Sequence, residues 1–99
     1  MRTVRVEWDE TKERSNRRKH GVGFAEARTV FDNPLARIFD DEPHSADERR
    51  EIIIGHSGSD RLLLVCFAER SGAVRIFSAR LATRQEQKDY EESLHFPSR

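Results

Sequence analysis

Residues 51–80 read EIIIGHSGSDRLLLVCFAERSGAVRIFSAR and hold three apolar runs, Ile52 to Ile54, Leu62 to Phe67 and Val74 to Phe77. Between them stand Ser57-Gly58-Ser59 and Ser71-Gly72, small polar clusters of the kind that close hairpins. The stretch therefore predicts an antiparallel meander. Its middle run is apolar at consecutive positions, which places that strand centrally with both faces covered. Side chains alternate along a strand. On the last strand this sets Val74, Ile76, Ser78 and Arg80 on one face and Arg75, Phe77 and Ala79 on the other. If the first strand starts near Glu48, then Glu48, Arg50, Ile52, Ile54 and His56 share a face.

On the N-terminal side, Val4, Val6 and Trp8 alternate with polar residues, the pattern of a half-buried strand. Asp9 offers an N-cap to a polar helix from Glu10 to His20, and Gly21 is its stop. That helix has little apolar face and must dock by its ends or against a partner. Phe24, Ala27, Val30 and Phe31 recur at helical spacing until Asp32-Asn33-Pro34, which predicts a second, core-packed helix. Leu35 to Phe39 is read as a short edge strand, and the acidic stretch Asp40 to Asp47 as a loop. Beyond the meander, Thr83 with Glu86 three residues later is a capping-box pattern opening a helix from Arg84 to Leu94, and residues 95–99 read as a frayed tail. The class is α+β, in one domain spanning residues 1–99.

Composition narrows the function classes. The chain is 35% apolar and 36% charged, so one core must come from a few concentrated runs. Its 18 Lys and Arg balance 18 Asp and Glu, which removes net charge as a source of steering and leaves local patches. Lys12, Arg14, Arg17, Arg18 and Lys19 crowd one segment, while Arg70, Arg75, Arg80 and Arg84 come with no acid between them. Cys66 is the one cysteine, so neither an intrachain disulfide nor a cysteine zinc motif is available. No apolar stretch is long enough to span a bilayer, and the N-terminus has no apolar signal core. The expected compartment is the cytoplasm, with no membrane partner.

Several residues are candidates for chemistry, each beside an ordinary structural explanation. Lys19 and His20 face a phosphate if held by the Gly21 stop, or simply complement the negative end of the helix dipole. Asp40, Asp41, Glu42, His44, Asp47 and Glu48 have hard-metal ligand types, but their spacing fits no metal motif, and Ser45 with Glu48 matches a capping box instead. No metal or other cofactor is expected. Glu48 beside Arg50 is either a functional pair or a sheet-edge ion pair, and Arg80 with Ser78 either binds phosphate or ends a strand at the surface. Serine hydrolase and nucleotide-binding readings fail for want of a nucleophile elbow or phosphate-cradling glycines. Cys66, inside an apolar run, is a core residue.

Taken in order, Trp8-Asp9, Lys12, Asn16, Lys19-His20-Gly21-Val22, Phe24 and Glu26-Ala27 resemble the BrnT toxin family. His44-Ser45, Glu48, Arg50, Gly55, Arg61-Leu62, Arg75-Ile76-Phe77-Ser78-Ala79-Arg80, Glu86 and Tyr90 continue the resemblance. Asp60, where that family often has Gly, and Phe77, where Ile is common, depart from it. The resemblance implies a RelE-like fold and a ribonuclease toxin of a type II toxin-antitoxin pair. It also implies a BrnA-like antitoxin as partner, in a possible hetero-oligomer, with DNA reached only through that antitoxin. Metal-free RNA cleavage needs cations for phosphate and an acid and a base. On this reading Lys19, Arg50 and Arg80 hold phosphate, His20 and Glu48 are the acid and base in either order, and Arg61, Arg75 and Ser78 add RNA contacts. The competing class is a non-catalytic nucleic-acid- or protein-binding module.

Overall fold

The computed structural model describes residues 5–95; Val4, in the expected first strand, and positions 96–99 of the expected tail lie outside them. Among the described residues, eight strands and helices follow in chain order: β1 (Arg5–Trp8), α1 (Glu10–His20), α2 (Phe24–Thr29), β2 (Arg37–Asp40), β3 (Glu51–His56), β4 (Leu62–Arg70), β5 (Ala73–Leu81) and α3 (Arg84–His95), with 3-10 turns at Val30–Asp32, extending α2, and at Glu42–His44. The strands form one sheet in the order β1-β5-β4-β3-β2. The meander is antiparallel as its turns require, β2 pairs antiparallel with β3, and β1 pairs parallel with β5. At the β4–β5 turn both Ser71 (φ 50°) and Gly72 (φ 81°) are left-handed, the geometry that matches the twist of a two-residue hairpin. Asp60 also has a positive φ, 61°, which gives a physical reason for glycine at that position.

One face of the sheet carries the main core. Ile53, Leu63, Val65, Phe67, Val74, Ile76 and Ala79 pack there against Val22, Phe24, Ala27 and Val30. Gly55 lets β3 approach the segment after α2, since a Cβ there would stand 2.8 Å from that of Ala36. The opposite face is covered only in part. Tyr90 on α3 buries against Ile54 and Leu64, and its hydroxyl donates to the Leu35 carbonyl at 2.9 Å. Thus β4 is central, as its unbroken apolar run predicts, but Cys66 at its far half is only half-buried.

The alternation expected on β5 is broken by a bulge. Phe67 pairs with Ile76 and Cys66 with Ser78, which leaves Phe77 as the extra residue. Val74, Ile76 and Ala79 therefore all face the main core, and Ser78 and Arg80 turn to the open face instead of sharing one with Val74 and Ile76. The expectation that Ser78 and Arg80 point together holds; the face assigned to them is corrected. Ser45 and Glu48 do not form a capping box either: residues 45–50 are irregular, and the Ser45 hydroxyl accepts from the Arg50 amide at 2.9 Å.

The polar helix α1 docks through one buried side chain. The Asn16 amide donates to the carbonyls of Val22 (2.9 Å) and Ala79 (2.8 Å) and accepts from the Ala79 amide (3.1 Å). It takes the place of a strand neighbour along the edge of β5 beyond the end of β1 at Trp8. Asp9 caps the helix by accepting from the Lys12 amide, and Gly21 closes it at φ 70°. Asn16→Ala leaves three backbone groups without partners, each worth about 1–3 kcal/mol when buried. Urea unfolding is expected to show a loss of roughly 3 kcal/mol or more; a loss below about 1 kcal/mol would mean that solvent replaces the amide.

Candidate active site

The uncovered part of the second face forms a cleft of about 290 Å³ lined by Lys12, Asp41, His44, Arg50, Ile52, Leu64, Cys66, Phe77, Ser78 and Arg80. Each side chain arrives for a stated reason. Lys12 stands one turn before Asn16 on the same side of α1, so the docking of Asn16 carries it to the cleft. Arg50 and Ile52 share a face across the start of β3, as alternation predicts. The bulge brings in Phe77 and Ser78 together.

Phe77 organises cations: the Arg50 guanidinium lies 4.0 Å from its ring centroid, with Lys12 Nζ at 5.4 Å and Arg70 at 5.5 Å. A flat guanidinium on an aromatic face keeps its N–H donors directed outward. Most arginines near the sheet are matched by carboxylates. Arg70 binds both oxygens of Glu48, Arg75 lies 3.5 Å from Glu7, and Arg80 binds both oxygens of Glu86 at 2.8 Å. Three of the four arginines in the run without intervening acid, Arg70, Arg75 and Arg80, are thus matched by acids from the loop before β3, β1 and α3. Among the described residues, the Arg50 guanidinium makes no ion pair and no hydrogen bond.

At the opposite wall, Asp41 is buried and both its carboxylate oxygens lie 3.0 Å from His44 Nδ1. The Cys66 thiol donates to the same carboxylate at 3.4 Å. Burial first, and then that carboxylate, pushes the thiol up to about 11, so it is protonated and no nucleophile. The acidic segment is not a shared ligand set: Asp40 binds Arg49, Asp41 binds His44, and Glu48 binds Arg70. Among the described residues no three His, Cys, Asp or Glu are grouped to hold a metal ion.

Of the residues singled out in the sequence, the cleft brings together Arg50, Ser78 and Arg80. Lys19 and His20 are exposed at the far end of α1 and do not line it. Glu48 is committed to Arg70, whose hydrogen bond holds its carboxyl below the ordinary range. Arg61 forms an ion pair with Glu26, joined by the Ser57 hydroxyl, and also donates to the Gly21 carbonyl. Arg75 is half-buried against Glu7. Lys12, Asp41 and His44 are the cleft residues that sequence reasoning did not assign as a site. The signal for the last two was an Asp and a His three apart at a short turn.

Residues 8–86 match the family described as ribonuclease toxin, BrnT, of type II toxin-antitoxin system. The chain belongs to the BrnT family. It is also similar to the crystal structure of the Brucella abortus ribonuclease toxin, BrnT, with a TM-score of 0.64 and 29% identity over 83% of this chain and 100% of that one. A comparison with curated proteins finds no match. Many BrnT landmarks in this chain are structural: Asp9 caps α1, Asn16 docks it, Glu26 holds Arg61, and Tyr90 seats α3.

Glu86 is another. Its backbone amide donates to the Thr83 hydroxyl and its carboxylate accepts from the Thr83 amide, the reciprocal box expected there. Arg80 foremost, with that amide, holds the Glu86 carboxyl at about 2 against an ordinary 4.5. Because the folded value lies below the unfolded one, its stabilisation is complete above about 4.5 and is lost as pH falls toward about 2. Urea midpoints across that interval should show the gap between wild type and Glu86→Gln narrowing with acid; a constant gap would mean that the ion pair contributes nothing beyond the capping bond that Gln retains.

Proposed function

We propose that this chain is a cytoplasmic, metal-independent endoribonuclease that seats RNA phosphate in the cleft between α1 and the loop before β3, arrests growth by blocking translation, and is neutralised by a BrnA-like antitoxin. The observation that carries the reading is Arg50. Its charge is held in place by Phe77, lines a cleft beside Lys12, and has no carboxylate partner among the described residues. A fixed, unmatched guanidinium is a ready seat for a phosphodiester, whose non-bridging oxygens match its fork of donors.

Arg80 joins from β5 with Ser78 beside it. Two guanidinium nitrogens serve Glu86, which fixes its plane at the cleft wall and leaves other N–H donors for the crowded phosphate of the transition state. Lys19 and His20, exposed at the end of α1, serve RNA that runs beyond the cleft. No described helix is long and apolar enough to cross a membrane. The antitoxin has an evident surface to cover, since β2 is a sheet edge with Ile38 and Phe39 about half exposed, and such edges invite a protein partner.

Purified chain without antitoxin is expected to cleave single-stranded RNA in excess chelator. Arg50→Ala should lower the rate by about 100-fold or more while the thermal transition is retained, because its guanidinium forms no ion pair or hydrogen bond among the described residues and its one stacking contact, on Phe77, is at the surface of the cleft. Wild-type activity that vanishes with chelator would contradict the metal-free reading. An Arg50→Ala protein as active as wild type would remove the cleft as the seat of cleavage.

A further inference from the structure

Asp41 and His44 are bound together more closely than a loop needs. The Asp41 side chain is 8% exposed against 67% for His44. Its backbone is fixed on both sides, the amide donating to the Arg50 carbonyl at 2.9 Å and the carbonyl accepting from the Ser45 hydroxyl at 2.7 Å and the His44 amide at 3.1 Å. The carboxylate accepts from Cys66 Sγ on β4 and faces His44 Nδ1 with both oxygens. An ionised carboxylate only accepts, so this contact selects the tautomer with the proton on Nδ1, in which Nε2 carries the lone pair. Among the described residues nothing bonds Nε2. A buried acid holding an exposed imidazole in one tautomer, on the wall of a cleft whose other charged groups are Lys12 of α1, Arg50 before β3 and Arg80 of β5, is an arrangement for moving a proton beside an anion.

We propose that His44 is the residue that takes the proton from the attacking 2′-hydroxyl, with Asp41 as its positioning residue. The inference rests on the ribonuclease reading above and gives that site its base. As Nε2 accepts the proton, the 2′-oxygen forms a bond to phosphorus and the bond from phosphorus to the 5′-oxygen breaks. The departing 5′-oxygen takes a proton from water, and the imidazolium returns its own to solvent, so no proton is gained or lost overall. The products are a 2′,3′-cyclic phosphate and a 5′-hydroxyl. Arg50 and Lys12 balance the charge that gathers on the phosphate oxygens. Among the other histidines, His20 has no hydrogen-bond partner among the described residues to fix its tautomer, and His56 packs its ring on Tyr90 away from this cleft.

The test uses the full chain with a mixed-sequence single-stranded RNA in chelator, and a 2′-O-methyl RNA of the same sequence as an uncleavable binding probe. His44→Ala is expected to lower cleavage by about 100-fold or more, to keep affinity for the probe within about threefold, and to regain activity with added imidazole. Asp41→Asn is expected to lower kcat with KM unchanged, since its side chain is buried and bound to His44 and Cys66. A His44→Ala protein that cleaves at the wild-type rate would overturn the assignment while leaving the ribonuclease reading intact. A variant that loses probe affinity along with activity, without imidazole rescue, would overturn it in favour of a binding role. Wild-type protein that cleaves no RNA would instead sink the ribonuclease reading itself.

Discussion

The arrangement of this molecule turns on a single buried amide. A helix as polar as α1 has no apolar stripe with which to hold a sheet, and Asn16 supplies the attachment by completing the hydrogen bonding of Ala79 on β5. β1 ends at Trp8, opposite Ile76, so the β5 backbone beyond that point would otherwise lack a neighbour. Satisfying both Ala79 groups fixes where α1 lies along the edge. Four residues earlier on the same side of the helix, Lys12 is thereby delivered to the cleft. The stability of the fold and the composition of the site meet in this contact.

The bulge on β5 does the complementary work. One extra residue, Phe77, changes which side chains face the open side of the sheet, and it supplies the ring on which Arg50 is laid. The charges around it sort by partner. Carboxylates on β1, α3 and the loop before β3 take up Arg75, Arg80 and Arg70, so a strand that is strongly basic in sequence is nearly balanced in space. What remains for an anion in the cleft is Arg50 with Lys12, neither of which forms an ion pair among the described residues. A chain without net charge thus retains a local electrostatic purpose, a consequence of which ion pairs the topology permits.

Local signals carried the fold in the sequence. Small polar turn clusters, Ser57-Gly58-Ser59 and Ser71-Gly72, between apolar runs marked the meander, a six-residue apolar run marked its central strand, and Asp9, Gly21 and the Thr83 and Glu86 box marked helix ends, because each depends on residues a few positions apart. The site was less legible. A bulge leaves no trace in alternation, so the face of Ser78 and Arg80 was misread. The partners of Arg61, Arg70 and Arg75 come from 35, 22 and 68 positions away, beyond any local pattern. The BrnT landmarks Asn16, Glu26 and Glu86 invite a functional reading, but their contacts are those of a scaffold. Asp41 and His44 were hidden in an acidic run that reads as solvated loop until the fold buries one carboxylate of the set.

The central claim is that the RNA phosphate to be cleaved is seated in the cleft beside Phe77, with the basic end of α1 serving only RNA that runs beyond it. A crystal structure of the protein with a short RNA carrying 2′-deoxy substitutions to prevent cleavage tests it most directly. The account predicts a phosphate on the Arg50 guanidinium, within reach of Lys12 and His44. A phosphate path confined to Arg18, Lys19 and His20, with the cleft unoccupied, would contradict it.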